Sequence, residues 1–361
     1  MSELYIGVMS GTSLDGIDIV LCEIKDDSFE LIYSHEYVFD AKLKKDILDA
    51  ILNPVTLKAI GTLDTRLGEI YGKTINSFID KYKIDKNKIT AIGLHGQTLW
   101  HEPNSQYPFS MQLANSSLIT TITGVSVVSD FRQKDIALGG QGAPLTPAFH
   151  KFLFSRLEEN IAVVNIGGMA NISILSKKLI GYDTGCGNVL LDYWINKNKK
   201  LAYDKDGAWA ASGEVNENLL KLLLSDSYFS ISGPKSTGRE YFNQKWLEKY
   251  LADFVSINPQ DVQATLLELT AQSIINEVKR TTTNMLIICG GGVKNKALMN
   301  SLHVGLNGVE VLSSDECGVS SDYMEAMAFA WLAYKRIHKE EVDIKSVTGA
   351  TQNTILGAIY E

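Results

Sequence analysis

The sequence predicts an α/β protein built from two related lobes. Apolar runs of strand length alternate with helical stripes along the whole chain. At 361 residues the chain is too long for one ordinary domain and suits two. Each half also opens in the same way, with a strand, a turn of small residues and a second strand.

The first opening is Leu4–Val8, a turn through Gly11 and Gly16, and Ile17–Leu21. Phe29–Phe39 reads as a third strand. Leu67, Ile70, Tyr71, Phe78, Ile79 and Tyr82 make one helical stripe over Asp64–Tyr82. Ile89–Leu94 is a buried strand ending in His95-Gly96-Gln97-Thr98. Ser116–Ile122 is a short helix, and Val125–Val128 a strand that ends in Ser129-Asp130-Phe131-Arg132. Leu138–Pro147, rich in Gly and Pro, reads as the hinge. The lobes are therefore expected at 1–137 and 138–361, with the C-terminal tail a candidate to return to the first.

Phe149–Leu157 reads as helical. The second opening is Ile161–Ile166, Gly167-Gly168-Met169-Ala170 and Asn171–Leu175, with Ile180–Tyr182 as its third strand. Asp183-Thr184-Gly185-Cys186-Gly187-Asn188 follows. Val189–Asn196 and Leu219–Leu224 read as helices, and Lys197–Gly213 and Gly233–Glu240 as polar loops. Asn258-Pro259 is a good helix start. Met285–Cys289 is a strand running into Gly290-Gly291-Gly292. Asn295–Leu302, Val309–Leu312 and Ser321–Lys339 complete the alternation as helix, strand and helix.

Net charge −8 without a basic block speaks against nucleic acid. The four cysteines are scattered, unlike a disulfide framework or a zinc site, which suits a reducing compartment. No apolar run reaches membrane-spanning length, and the N-terminus does not read as a signal peptide. A soluble cytoplasmic protein is the expectation.

No G-x-x-x-x-G-K-[ST] and no helix-opening G-x-G-x-x-G is present. Three Gly-rich turns nevertheless follow apolar strands, after Val8, Ile166 and Cys289, where α/β folds bind ligands. Small residues let backbone N–H groups approach an anion, and Ser10, Thr12 and Ser13 add hydroxyl donors. Asp183 reads locally either as a catalytic acid or base or as a turn and capping aspartate. Asp130 and Arg132 read as a surface ion pair or as a carboxylate clamp. Glu325 suits the first turn of the last helix. His95 reads as a packed histidine or a proton shuttle. Cys186 has no basic partner in sequence and reads as inert.

Gly7–Asp18, Asp130-Phe131-Arg132 with Gly139–Leu145, Asn165–Asn171, Asp183–Asn188 and Gly290–Gly292 occur in this order. Together they closely resemble the anhydro-N-acetylmuramic acid kinase family, from about residue 5 to Thr348-Gly349-Ala350. One departure is Cys186, where the family is expected to carry proline. The resemblance implies the two-lobed actin-like ATPase fold, a duplicated ribonuclease H-like α/β plan with ATP in the interlobe cleft. It implies phosphate binding on Met9, Ser10, Gly11, Thr12, Ser13, Leu14, Asp15 and Gly16, with Gly167 and Gly168 on the second turn. It puts the adenosine side near Gly290, Gly291 and Gly292. Asp183 becomes the base, and His95, Gln97, Thr98, Asp130, Arg132 and Glu325 become sugar-site candidates. ATP and Mg²⁺ are the implied cofactors, with no metal ligand assigned. 1,6-Anhydro-N-acetylmuramic acid is the implied substrate, and a homodimer the implied assembly. An ordinary amino-sugar kinase and an ATPase switch on the same fold remain alternatives.

Overall fold

The computed structural model describes residues 2–361 other than Thr12, Ser13, Asp15, Asp27, Arg156, Glu158, Glu159, Lys177 and Pro234. The chain forms two compact units. Unit 1 holds the residues up to Leu153 together with Tyr323–Glu361, and unit 2 is Phe154–Asp322.

Unit 1 opens with β1 (Glu3–Met9), β2 (Gly16–Lys25) and β3 (Ser28–Val38), followed by helices α1 (Ala41–Leu52) and α2 (Leu57–Lys81). Asp40 and Thr56 cap those helices by accepting from Leu43 N and Ala59 N. Next come β4 (Ile89–Leu94), a hairpin of β5 (Gln97–Glu102) and β6 (Phe109–Leu113), α3 (Ser116–Thr123), β7 (Val127–Ser129), α4 (Gln133–Ala137) and α5 (Thr146–Phe154).

Unit 2 opens with β8 (Ile161–Ile166), β9 (Met169–Leu175) and β10 (Leu179–Cys186). Helices α6 (Val189–Lys199), α7 (Glu217–Leu224), α8 (Ser227–Ser230), α9 (Gln244–Leu251) and α10 (Pro259–Lys279) follow. The unit closes with β11 (Met285–Cys289), α11 (Lys296–Gly305) and β12 (Glu310–Ser313). The chain then adds α12 (Met324–Ile337), α13 (Lys345–Thr348) and β13 (Ala358–Tyr360) to unit 1.

Among the described residues the unit 1 sheet runs β3-β2-β1-β4-β7-β13 and the unit 2 sheet β10-β9-β8-β11-β12. In each, three antiparallel strands lead into two parallel ones. The two units therefore repeat one strand order without a sequence repeat. This is the duplicated ribonuclease H-like plan of the actin-like ATPases.

One face of the unit 1 sheet buries Ile6, Val8, Ile19, Ile92 and Leu94 with Leu67, Tyr71 and Phe78 of α2. Helix α12 lies against β1 and β4 at a pair of glycines. Gly7 and Gly93 are opposite each other in the ladder. A Cβ on Gly7 would stand 1.9 Å from Ala326 O, and one on Gly93 would stand 2.0 Å from Phe329 O. Only strands without side chains at this point admit the helix so closely. Unit 2 packs Val164, Ile166, Ile172 and Ile288 against Leu266, Leu269 and Ile274 of α10.

The Gly- and Pro-rich stretch read as a hinge lies inside unit 1, and the break between the units falls at 153/154 rather than at 138. Asp135, fully buried, fixes the stretch by accepting from Gly142 N at 2.6 Å and Thr348 Oγ1 at 2.6 Å. Gln141 N donates to Thr348 O and Thr351 N to Leu138 O. Phe149 and Phe152 of α5 pack on Phe29 and Trp331, which carries the following helix into unit 1 as well.

Candidate active site

In unit 1 the carboxyl ends of β1, β4 and β7 and the start of α12 gather most of the residues singled out from sequence. Met9 ends β1 and Gly16 begins β2. Between them Leu14 is buried at φ 57°, with Leu14 N bonded to Gly11 O at 3.3 Å. Ser10 is buried, and its hydroxyl is shared with Tyr71 OH rather than offered to the turn. Thr12, Ser13 and Asp15 lie outside the described residues.

His95 follows β4, and its N–H donates to Val8 O. Its side chain is buried. Arg132 donates to His95 Nε2 from Nη2 at 2.8 Å and from Nε at 3.3 Å, and to Gly142 O from Nη1 at 2.7 Å. Burial, and then the Arg132 charge, hold the imidazole pKa well below its usual value. His95 is therefore neutral, an acceptor at Nε2 rather than a free proton shuttle. Burial lowers the Arg132 pKa to about 10, against the opposing charges of Glu325 and Asp135. The guanidinium stays charged at neutral pH, and acceptors of unit 1 already engage it. Glu325 stands in the first turn of α12.

Gln97 and Thr98 do not end the preceding strand: they begin β5, paired with Leu113 and Gln112. Gln97 is buried, and its Oε1 has no hydrogen-bond partner among the described residues. Thr98 Oγ1 accepts from Gln112 Nε2 at 3.2 Å. Asp130 is exposed in the left-handed region, φ 59°, a strained position for a residue with a side chain. A cleft of about 430 Å³ opens here, lined among others by His95, Gln112, Ser116, Ser129, Asp130 and Gln133.

In unit 2, Asp183 lies within β10 rather than after the third strand, where the ladder slips between Asp183 and Gly185. Register puts Asp183 opposite Asn171, and Asn171 opposite Asn165. A polar row thus crosses three strands at the edge of an otherwise apolar sheet. Burial raises the Asp183 pKa to about 6; the Thr237 N–H, donating to Oδ2 at 2.9 Å, opposes this, and Glu240 adds to it. Asp183 N donates to Lys235 O, and Tyr228 OH donates to Asp183 O, each at 2.9 Å. A carboxylate with that proton affinity, one oxygen held by a backbone donor, can take a proton from a nucleophile near neutral pH.

Gly167 and Gly168 form the β8–β9 turn and sit against the start of α6. Gly187 N and Val189 N donate to Gly168 O, and Asn188 N to Gly167 O. Gly290–Gly292 follow β11, the parallel neighbour of β8. Gly290 has φ 80°, and a Cβ there would meet Asn165 Oδ1 at 2.3 Å. A Cβ on Gly292 would meet Ile166 Cβ at 2.4 Å, whereas one on Gly291 meets nothing within 4 Å. Two of these glycines serve close packing, and the middle one faces open space. Cys186 is buried and its thiol pKa is pushed up to about 12, which makes it inert.

The structure thus brings Asp183, Gly167, Gly168 and Gly290–Gly292 together in unit 2. It brings Ser10, His95, Arg132 and Glu325 together in unit 1. Sequence reasoning missed Thr237, Lys235 and Tyr228, which surround Asp183. The available signal was Glu277, a charged residue on the buried face of α10 whose partner had to come from elsewhere.

The family model for anhydro-N-acetylmuramic acid kinase matches residues 3–361. The chain belongs to the anhydro-N-acetylmuramic acid kinase family. An anhydro-N-acetylmuramic acid kinase of Sulfurimonas denitrificans is 61% identical over 368 residues, covering 100% of both chains. One from Sulfurovum sp. is 54% identical, covering 99% of each. One from Pasteurella multocida is 48% identical over 99% of this chain and 96% of its own. Among the described residues no helix is long and apolar enough to cross a membrane.

Proposed function

We propose that the chain opens the 1,6-anhydro bridge of 1,6-anhydro-N-acetylmuramic acid with water and phosphorylates O6 from ATP. The products are N-acetylmuramic acid 6-phosphate and ADP. The observation that carries the reading is Asp183, a half-buried carboxylate with a pKa near 6 beside two Gly-rich turns, in a chain of this kinase family.

Asp183 accepts a proton from the water that attacks C1. The C1–O6 bond breaks as the C1–OH bond forms. The negative charge left on O6 makes that oxygen the nucleophile toward the γ-phosphorus, and ADP leaves. One carboxylate therefore serves both steps. Met9–Gly16 and Gly167-Gly168 are assigned to the phosphates and Gly290–Gly292 to the adenosine side. His95, Gln97, Thr98, Asp130, Arg132 and Glu325 are assigned to the sugar, with Arg132 meeting its lactyl carboxylate.

Among the described residues no three His, Cys, Asp or Glu side chains gather to hold a metal ion. A Mg²⁺ brought by ATP would be held chiefly by phosphate oxygens and water, and it would neutralise phosphate charge. Peptidoglycan recycling in the cytoplasm, by a homodimer, belongs to the same reading.

The test is one incubation with ATP, Mg²⁺ and the anhydro-sugar in ¹⁸O-water, quenched promptly and read by mass spectrometry. A sugar 6-phosphate labelled once at C1 is the expected product. Phosphorylation of open amino sugars alone would support an ordinary amino-sugar kinase. ADP without any sugar product would support an ATPase switch.

A further inference from the structure

We infer that the buried Lys235–Glu277 ion pair anchors loop 235–240 so that the Thr237 N–H stays on the Asp183 carboxylate, which makes Lys235 and Glu277 positioning residues for that aspartate. The inference rests on the reading of Asp183 as the base.

Both side chains of the pair are 3% exposed, with Lys235 Nζ 2.9 Å from Glu277 Oε1. Lys235 Nζ also donates to Ile231 O at 3.1 Å. Glu277 accepts from Arg280 Nη1 at 2.9 Å and from Tyr182 OH at 3.1 Å. Burying an ion pair is costly, and an apolar pair of similar volume is often as stable. Here the ion pair does what an apolar pair could not: it fixes two backbones at once. Tyr182 immediately precedes Asp183 on β10, and Lys235 stands two residues before Thr237 on the loop. The backbone between these anchors carries the bonds Asp183 N to Lys235 O and Thr237 N to Asp183 Oδ2. Tyr228, over whose ring Lys235 Nζ lies at 4.8 Å, closes the arrangement by donating to Asp183 O.

A donor on the ionised form favours it, so loosening the loop lets burial push the proton affinity of Asp183 higher. The other titratable groups near the carboxylate are Glu240 on the loop and Tyr228 on α8. Glu277 on α10 is compensated by Lys235 and Arg280, and Arg239 stands beside the Gly168 turn.

The experiment titrates Asp183 directly, by isotope-edited infrared spectroscopy of the full chain labelled with ¹³C-aspartate, with Asp183→Asn protein as the difference reference. Lys235→Met is expected to raise the Asp183 titration by roughly one pH unit, and Lys235→Arg to restore most of it. The acid limb of kcat/KM should move by the same amount, while KM for ATP stays within about twofold. Glu277→Gln keeps the side-chain shape, and the double variant Lys235→Met/Glu277→Met leaves no unpaired buried charge. Both give folded protein on which the same shift is expected. An unmoved Asp183 titration in any folded variant without the ion pair overturns the inference. If the infrared titration moves while the acid limb does not, the positioning stands and the assignment of Asp183 as the base falls.

Discussion

The two units repeat one strand order and place different chemistry at the strand ends. At the ends of β1, β4 and β7, unit 1 gathers a half-buried cation, Arg132, on a neutral imidazole. At the same end of the unit 2 sheet, but on β10, the counterpart of β3, stands a half-buried carboxylate, Asp183, backed by a loop. The first corner holds a cation among the carboxylates of Asp135 and Glu325, and the second a carboxylate able to accept a proton. Duplication of a fold thus repeats the scaffold and leaves the chemistry to the few side chains at the strand ends.

The largest effect that would break this comparison is expected at Asp183. Asp183→Asn should lower kcat by about 10³-fold or more while nucleotide affinity, read by calorimetry, is kept. The same substitution should raise the melting temperature at pH 7.5. The folded-state pKa, near 6, lies above the unfolded one, so ionising Asp183 costs stability as pH rises from about 4 to 6. The full cost at pH 7 is about 2–3 kcal/mol, and Asn removes it. At pH 4 the two proteins should melt alike. Full turnover in the variant would end the assignment of a base to unit 2.

Next in size is the seat of α12. Gly7→Ala drives a methyl into Ala326 O and should cost about 3 kcal/mol or prevent folding, measured by urea denaturation. Unit 2 has its own tight glycine in Gly292, against Ile166. Gly292→Ala should cost about 2 kcal/mol.

Arg132→Met should cost about 2 kcal/mol by leaving His95 and Gly142 O without their donor. It should also move the His95 pKa upward, since one of the two causes that depress it is removed while burial stays. NMR titration of the imidazole reads this directly. An unmoved His95 would mean that burial alone sets its charge.

The smallest stability effect is expected at Gly291, where Ala should change unfolding free energy by less than about 0.5 kcal/mol. If that face meets the adenosine, the variant weakens ATP binding without loss of stability. Unchanged ATP affinity would move the adenosine side elsewhere.

The strands that build both corners were legible because each is a short, continuous apolar run ending in glycine or a polar residue. Asp183 was legible for the same reason, although β10 runs past it to Cys186. The β5–β6 hairpin was not, because Trp100, His101 and Glu102 are exposed and carry no strand alternation. The boundary between the units was misplaced because glycine and proline mark a turn without saying whether it is held. Asp135 holds it, through Thr348, 213 residues away in sequence. The loop around Asp183 read only as polar, since burial of Lys235 depends on Glu277, 42 residues further on. Short-range patterns report elements, whereas the partner of a buried charge is a long-range fact.

The glycine-seated helix α12 also has a consequence for the order of synthesis. Unit 2 is one unbroken run of chain, while unit 1 is interrupted by it and completed only by Tyr323–Glu361. A ribosome releases all of unit 2 before it releases the helix that roofs Gly7 and Gly93. The half of the molecule carrying Asp183 can therefore close first, and the older half waits with one side of its sheet uncovered. Until α12 emerges, the apolar face it covers stays open to mispairing.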